Sequence, residues 1–282
     1  MRKRIGWAVL TVVLLSSCAG NKTMETSYAQ ETVETLALKT FLSNKKEQQL
    51  TTAAWDYVPG LVAQSVLKAW ELYPEKVEYY NAVKEYADHC LQGGDTIHIE
   101  DSNLDELQAG KMFFTLYKAE MEKGNEADAA RYKNCATFLR NKLKYTHARI
   151  SDDKPGAGGF FHKPRYPDQM WLDGLFVGGA VYAEWQANFG ADGDATENTE
   201  SWTDIAFQFK TLHKQTFDVD KELNYHAWSA NPTDPSSFWA MREGKYAGCS
   251  PEFWGRASGW YFVALADVLD MMPKNHADYN DQ

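Results

Sequence analysis

Apolar residues recur at three- and four-residue intervals through most of this chain, and alternating, strand-like stretches are scarce. That period limits the fold more than any other feature. It predicts seven helices, at about residues 54–71, 76–92, 104–120, 125–146, 168–187, 200–217 and 251–271. The chain therefore reads as all-α. The fifth segment is too interrupted to cross a membrane, because Asp173 and Glu184 break its apolar run, and Gly174 and Gly178 form a small-residue stripe suited to close helix packing.

Unusual residues are unevenly distributed over these segments. The second, fourth and sixth are amphipathic with charged outer faces, as in "EKVEYYNAVKEYADHCL". The first, third, fifth and seventh carry their oddities at or just before their N-termini: "TAAWDYVPG", "EDSNLDELQAG", "GAGGFFHKPRYPDQMW" and "NYHAWSANPTDPSSFWAMREGKYAGCSPEFWGRASGW". In a run of antiparallel helical hairpins the odd helices point the same way, so these N-termini gather at one end. The connections of about 20 and about 30 residues that feed the fifth and seventh helices exceed ordinary loops. A helical barrel or toroid with one decorated mouth is the expected architecture.

The first residues are set apart from this pattern. Arg2, Lys3 and Arg4 precede the apolar stretch Ile5 to Leu15, and Leu15-Ser16-Ser17-Cys18 has the form of a bacterial lipobox. Residues 1–17 are expected to be a lipoprotein signal peptide, with Cys18 lipidated, residues 18–48 a polar tether and 49–282 the folded domain. A lipid anchor in the bacterial cell envelope is then the only membrane attachment expected. Loss of the three leader cations takes the net charge from -10 to -13, which argues against nucleic acid or anionic membrane as a partner held by bulk charge. Cys90, Cys135 and Cys249 have no metal-ligand spacing; they read as free buried thiols, with a Cys90–Cys135 bridge as the alternative. No HxxxH, GxSxG, P-loop or dinucleotide motif is present, and no metal or organic cofactor is implied. Ten tryptophans and fifteen tyrosines fit either a large aromatic core or surfaces that stack on sugars.

Two carboxylates stand out. Asp173 lies between Leu172 and Gly174, about one turn inside the fifth helix if Asp168 is its N-cap. Burial there raises its pKa and the helix N-terminus lowers it, a balance that suits proton transfer. A structural Asp bonded to a loop is the competing reading. Asp105 follows Ser102-Asn103-Leu104, where a simple helix cap would serve equally well. Arg256 and Trp260, four apart after a helix start marked by Ser250-Pro251, could hold a carboxylate and stack a sugar ring; an Arg256–Glu252 pair over a core Trp is the alternative. His162 and His226 sit in the two long loops that feed the mouth.

Taken together, "GGFFHKPRYPDQMWLDGLFVGG", "NLDELQAGKMFF", "LNYHAW" and "SPEFWGRASGWY" resemble the unsaturated rhamnogalacturonyl hydrolases of glycoside hydrolase family 105, relatives of the unsaturated glucuronyl hydrolases of family 88. The resemblance implies an (α/α)6 barrel. It also implies a substrate, a short oligosaccharide ending in a 4,5-unsaturated galacturonic acid. The family's chemistry is hydration of the C4=C5 bond, not attack at the anomeric carbon. By the same resemblance Asp173 matches the general acid/base and Asp105 the second essential carboxylate. His162, His226, Arg256 and Trp260 match substrate-binding positions, and Tyr57 an aromatic contact. An (α/α)6 barrel has twelve helices, so the chain is expected to stop about five short. The competing expectations are a glycan-binding lipoprotein without turnover, and another (α/α)6 glycosidase or lyase.

Overall fold

The computed structural model describes residues 50–281; the expected leader, lipidation site Cys18 and tether lie outside them. Seven helical arms follow in chain order among the described residues. Helix α1 (Tyr57–Leu72) is capped by Asp56, whose carboxylate accepts from the Val58 N–H. It buries Gly60, Ala63, Val66, Leu67 and Ala69, a stripe at helical spacing. Helix α2 (Val77–Leu91) turns back against it, burying Tyr79, Tyr80, Val83, Tyr86, Ala87 and Leu91. It ends where Gln92 enters the left-handed region at φ 49.

The third arm is not a plain α-helix. Leu104–Lys111 is a 3-10 helix that continues into α3 (Met112–Glu122). Leu104 and Leu107, three apart, point together into the core, as the three-residue turn requires. Helix α4 (Glu126–Asn141) ends in a π-helical turn, Lys142–Thr146. Helix α6 (Ala195–Thr216) starts earlier than its periodicity suggests, because Asp194 caps it by accepting from the Glu197 N–H at 2.8 Å.

The fifth arm departs most from expectation. Residues Gln169–Trp171 form a strand, β1, where the helix was expected to begin. It pairs antiparallel with β4 (Ala227–Ser229), Gln169 opposite Ser229 and Trp171 opposite Ala227. A second small ribbon joins β2 (Phe217–Asp218) to β3 (Leu223–Asn224). Asp168 is therefore no helix cap: it sits at φ 58 ahead of β1, paired with Lys154 at 2.6 Å. Leu172–Gly174, the π-helical turn Leu175–Gly179 and Ala180–Phe189 follow without a break and are treated as one helix, α5. Its residues from Gly174 to Ala183 are buried throughout, so α5 is the central arm. The expected small-residue stripe is real. A methyl group on Gly174 or Gly178 would stand 2.9 Å from a Leu104 methyl, so a larger residue at either position would require the Leu104 side chain to shift.

Helix α7 (Gly255–Met271) buries only Ala257, Tyr261, Ala264 and Val268, and begins after Trp254, not at Pro251. One ionic cluster ties three arms together. Lys111, only 5 % exposed, places its ammonium 2.9 Å from Asp267 of α7 and 3.6 Å from Glu184 of α5. Among the described residues Cys90, Cys135 and Cys249 are free thiols, Cys135 and Cys249 buried.

Candidate active site

The N-terminal ends of the 3-10 helix, α5 and α7 meet, and the two candidate carboxylates arrive there each with an imidazole. Asp173 is the second residue of α5, closer to the helix start than expected. His226 directly precedes β4, and the ribbon carries it across: the Leu172 N–H donates to the His226 carbonyl at 3.0 Å. His226 Nε2 then lies 2.8 Å from Asp173 Oδ2. Asp105 is held by Asn103, whose side chain accepts from the Asp105 N–H. Its Oδ1 lies 3.3 Å from His162 Nε2, and its Oδ2 is paired with Lys163 Nζ at 2.5 Å.

Aromatic rings connect the two pairs. Trp171 stacks on His162 with centroids 4.4 Å apart, stacks on Tyr166 at 5.1 Å, and meets His226 edge-on at 5.3 Å. On the far side His226 meets Trp254 edge-on at 4.7 Å, and the Arg256 guanidinium lies 4.0 Å over Trp254. The structure thus joins Asp105, His162, Asp173, His226 and Arg256 in one neighbourhood. Arg256 does not pair with Glu252; being exposed, it rests on Trp254 instead. Trp260 stacks on Phe176 of α5 at 4.4 Å, and no hydrogen bond or ring contact among the described residues joins it to the carboxylates. Tyr57 is half-buried at the start of α1, and no hydrogen bond or ring contact among the described residues joins it to the carboxylates. The α1 end is nonetheless attached, because the Trp55 indole N–H donates to the Glu106 carbonyl at 2.7 Å.

Lys163, Tyr166, Trp171 and Trp254 belong to the site and were not singled out from the sequence. Lys163 had a signal: it follows His162 in a loop, where adjacent side chains can converge on one carboxylate. The three aromatics read equally well as core.

The electrostatics differ from the sequence-based balance. Burial pushes the Asp173 pKa up, but the hydrogen bond and charge of His226 outweigh it, and the carboxyl is held below its ordinary value. His162, 3 % exposed, is pushed down to about 4 by burial, against the pull of Asp105 and Asp173. Its Nδ1 is enclosed without a hydrogen-bond partner, and a methyl on Gly174 would stand 3.4 Å from it. His147 is likewise pushed down to about 4 by burial.

These two histidines make stability depend on pH with a definite sign. Their folded values lie below the ordinary 6.5, so between about pH 4 and 6.5 the unfolded chain binds more protons. Stability is complete above pH 6.5 and falls as pH drops toward 4, by roughly 3 kcal/mol per histidine. Urea melts at pH 7 and 5 should show the decline, and replacing His147 by Gln should flatten it. Equal midpoints at both pH values would refute the assignment.

Glycosyl Hydrolase Family 88 matches residues 31–282. The chain belongs to that family. Within family 88 and its relatives, the chain is similar to the unsaturated rhamnogalacturonyl hydrolase YesR of Bacillus subtilis (strain 168), 23% identical over 226 residues, 80% of this chain and 56% of YesR. A solved family 105 glycoside hydrolase from C. acetobutylicum ATCC 824 superposes with TM-score 0.71 at 32% identity, covering 88% of this chain and 61% of that one. A possible family 105 member from Salmonella enterica serovar Paratyphi A superposes with TM-score 0.63 at 15% identity, covering 98% of this chain and 67% of that one, which speaks to the fold alone. The family 88 chain thus has the helical-barrel fold that its motifs led us to expect. It spans a little over half the length of YesR.

Proposed function

We propose that this chain carries the site of an unsaturated rhamnogalacturonyl hydrolase, which hydrates the C4=C5 bond of a terminal unsaturated galacturonyl residue on pectin-derived oligosaccharides. The single observation that supports it most is the meeting of two carboxylate–imidazole pairs, Asp173–His226 and Asp105–His162, at the helix ends beside Arg256.

In this reading Asp173 delivers a proton to C4 and then takes one from the water that attacks C5. The added hydroxyl makes C5 a hemiketal, the ring opens there, and C1 is left as a hemiacetal that expels the neighbouring sugar. Arg256, exposed and lying over Trp254, is free to pair with the uronate carboxylate. Asp105, pinned by Lys163 and faced by His162, positions the substrate and the water, and Trp260 and Tyr57 supply aromatic surface. Because Asp173 is ionised in the resting site, the proton must be gained in the complex. The entering uronate, a like charge, raises the Asp173 pKa and so loads the acid.

The test is to incubate the chain with an unsaturated galacturonyl-rhamnose disaccharide and follow the ultraviolet absorbance of the conjugated double bond. Loss of absorbance with release of rhamnose is the expected result. A flat trace from a folded chain that still binds the disaccharide would replace the hydrolase with a glycan-binding protein.

A further inference from the structure

We propose that Gln169 is a positioning residue that fixes His162 from two directions and makes the long connection after β4 part of the active-site frame. It rests on the functional reading above for its assay, though not for its geometry.

Gln169 is completely buried, and both polar atoms of its side chain are hydrogen-bonded. Its Oε1 accepts from the Trp171 indole N–H at 3.1 Å. Its Nε2 donates to Ser236 Oγ at 3.0 Å and to Ser237 Oγ at 3.2 Å. Its backbone carbonyl accepts from the His162 N–H at 2.8 Å. The backbone bond fixes where His162 enters the site. The indole bond fixes the plane of Trp171, and Trp171 lies 13° from parallel on the His162 ring. A rotation of that indole would turn the imidazole away from Asp105.

The other end of the strut is equally well set. Ser236 and Ser237 belong to a short 3-10 turn, Pro235–Ser237, capped by Asp234, and Ser237 Oγ also lies 2.8 Å from Ser229 Oγ in β4. The connection from residue 230 to 250 is a long loop in sequence, yet through these two hydroxyls it holds the indole that holds the histidine. Ordinary core packing does not need this: an apolar side chain would fill the same volume without three matched polar contacts, and a buried amide is tolerated only when it is hydrogen-bonded.

Three variants test the strut: Gln169→Leu, Ser236→Ala with Ser237→Ala, and Gln169→Glu. The serine double variant leaves the strand intact and guards against a Gln169→Leu chain that does not fold. The expected result is a fall in kcat of about 10- to 100-fold for the first two, with KM within about threefold, since misplacement of a site group by about 1 Å costs on that order. The glutamate variant keeps the acceptor for the indole but loses both donations to the serines, and because the Ser236 hydroxyl already donates to Asp234 Oδ1 at 2.6 Å it cannot turn to the new carboxylate; kcat should fall as for the other two. Amide-exchange NMR on the Trp171 indole N–H, assigned with Trp171→Phe, should show it protected in the parent and exchanging faster in the first two variants. A folded serine double variant with kcat within twofold of the parent and unchanged indole exchange overturns the proposal. If the parent chain turns over no substrate, the functional reading fails, and the indole exchange alone decides on the strut.

Discussion

Replacing Asp173 by Asn should reduce turnover of an unsaturated galacturonyl disaccharide by about 1000-fold or more, the scale of losing a general acid/base. The amide has nearly the same shape, and its oxygen can still accept from His226 Nε2, so the contact at 2.8 Å survives. What it lacks is a transferable proton. Fold and binding are therefore expected to persist: the melting midpoint should stay close to that of the parent, and KM should change far less than kcat. The rate is read from the ultraviolet absorbance of the double bond. A variant retaining a tenth of the parent rate would remove Asp173 from the proton-transfer role, and Asp105 would then be the group to test. The pH profile adds a second check. Asp173 is held below the ordinary carboxylate value in the free site. The basic limb of kcat should therefore sit at higher pH than that of kcat/KM, and both limbs should vanish with the carboxyl.

Replacing Lys111 by Met should cost about 3–5 kcal/mol of stability near neutral pH, the range found when one partner of a buried ionic cluster is removed. The methionine fills the stem volume, so the loss measures charge. Without the ammonium, Glu184 and Asp267 are left as two nearly buried carboxylates with no cation between them. Burial already pushes the Glu184 pKa up, and loss of Lys111 must push it further. A group whose folded pKa is raised stabilises the folded state as pH falls toward that value. The penalty of Lys111→Met should therefore shrink between pH 7.5 and pH 5, while the parent itself loses stability over that range through His147 and His162. Urea melts of both chains at the two pH values give the difference directly. A pH-independent penalty would mean that packing of the lysine stem, not its charge, holds the three arms. The same variant should disturb the site, because Lys111 also lies 5.9 Å over the Phe176 ring on which Trp260 stacks.

The helical framework was legible because its signal is local. The stripe of Gly60, Ala63, Val66, Leu67 and Ala69 is written into α1 itself, and the start of that helix differs from expectation by only a few residues. The ribbon β1–β4 was not legible. Each of its strands has three residues, and their partners lie far apart in the chain, so neither carries an alternating pattern of its own. Met170, Trp171 and Leu172 therefore read on smoothly into the apolar helix behind them. The same limit applies to the site. Asp105, Asp173 and Arg256 announced themselves as polar residues near helix starts, and His162 and His226 as histidines in the two long loops that feed the mouth. Which histidine serves which carboxylate was beyond reach, since the Asp173–His226 bond spans 53 residues and depends on that unseen ribbon. Lys163 carried only its place next to His162 as a signal: its partner Asp105 is remote in sequence, and a lysine in a loop otherwise reads as solvated surface.

The π-helical turn Leu175–Gly179 gives α5 two independent phases. In an unbroken α-helix Asp173 and Glu184 would fall within about 20° of one another. One wide turn between them shifts the phase by about 100°. The front of the helix is thereby aimed at His226, and the rear at Lys111 and Asp267. Like two keys cut on one shank, the ends are indexed separately. Drift in the register of the rear half, through repacking around α7, need not turn the Asp173 end, whereas gain or loss of a single residue inside the wide turn would swing Asp173 by about a quarter of a revolution with the ionic anchor unmoved.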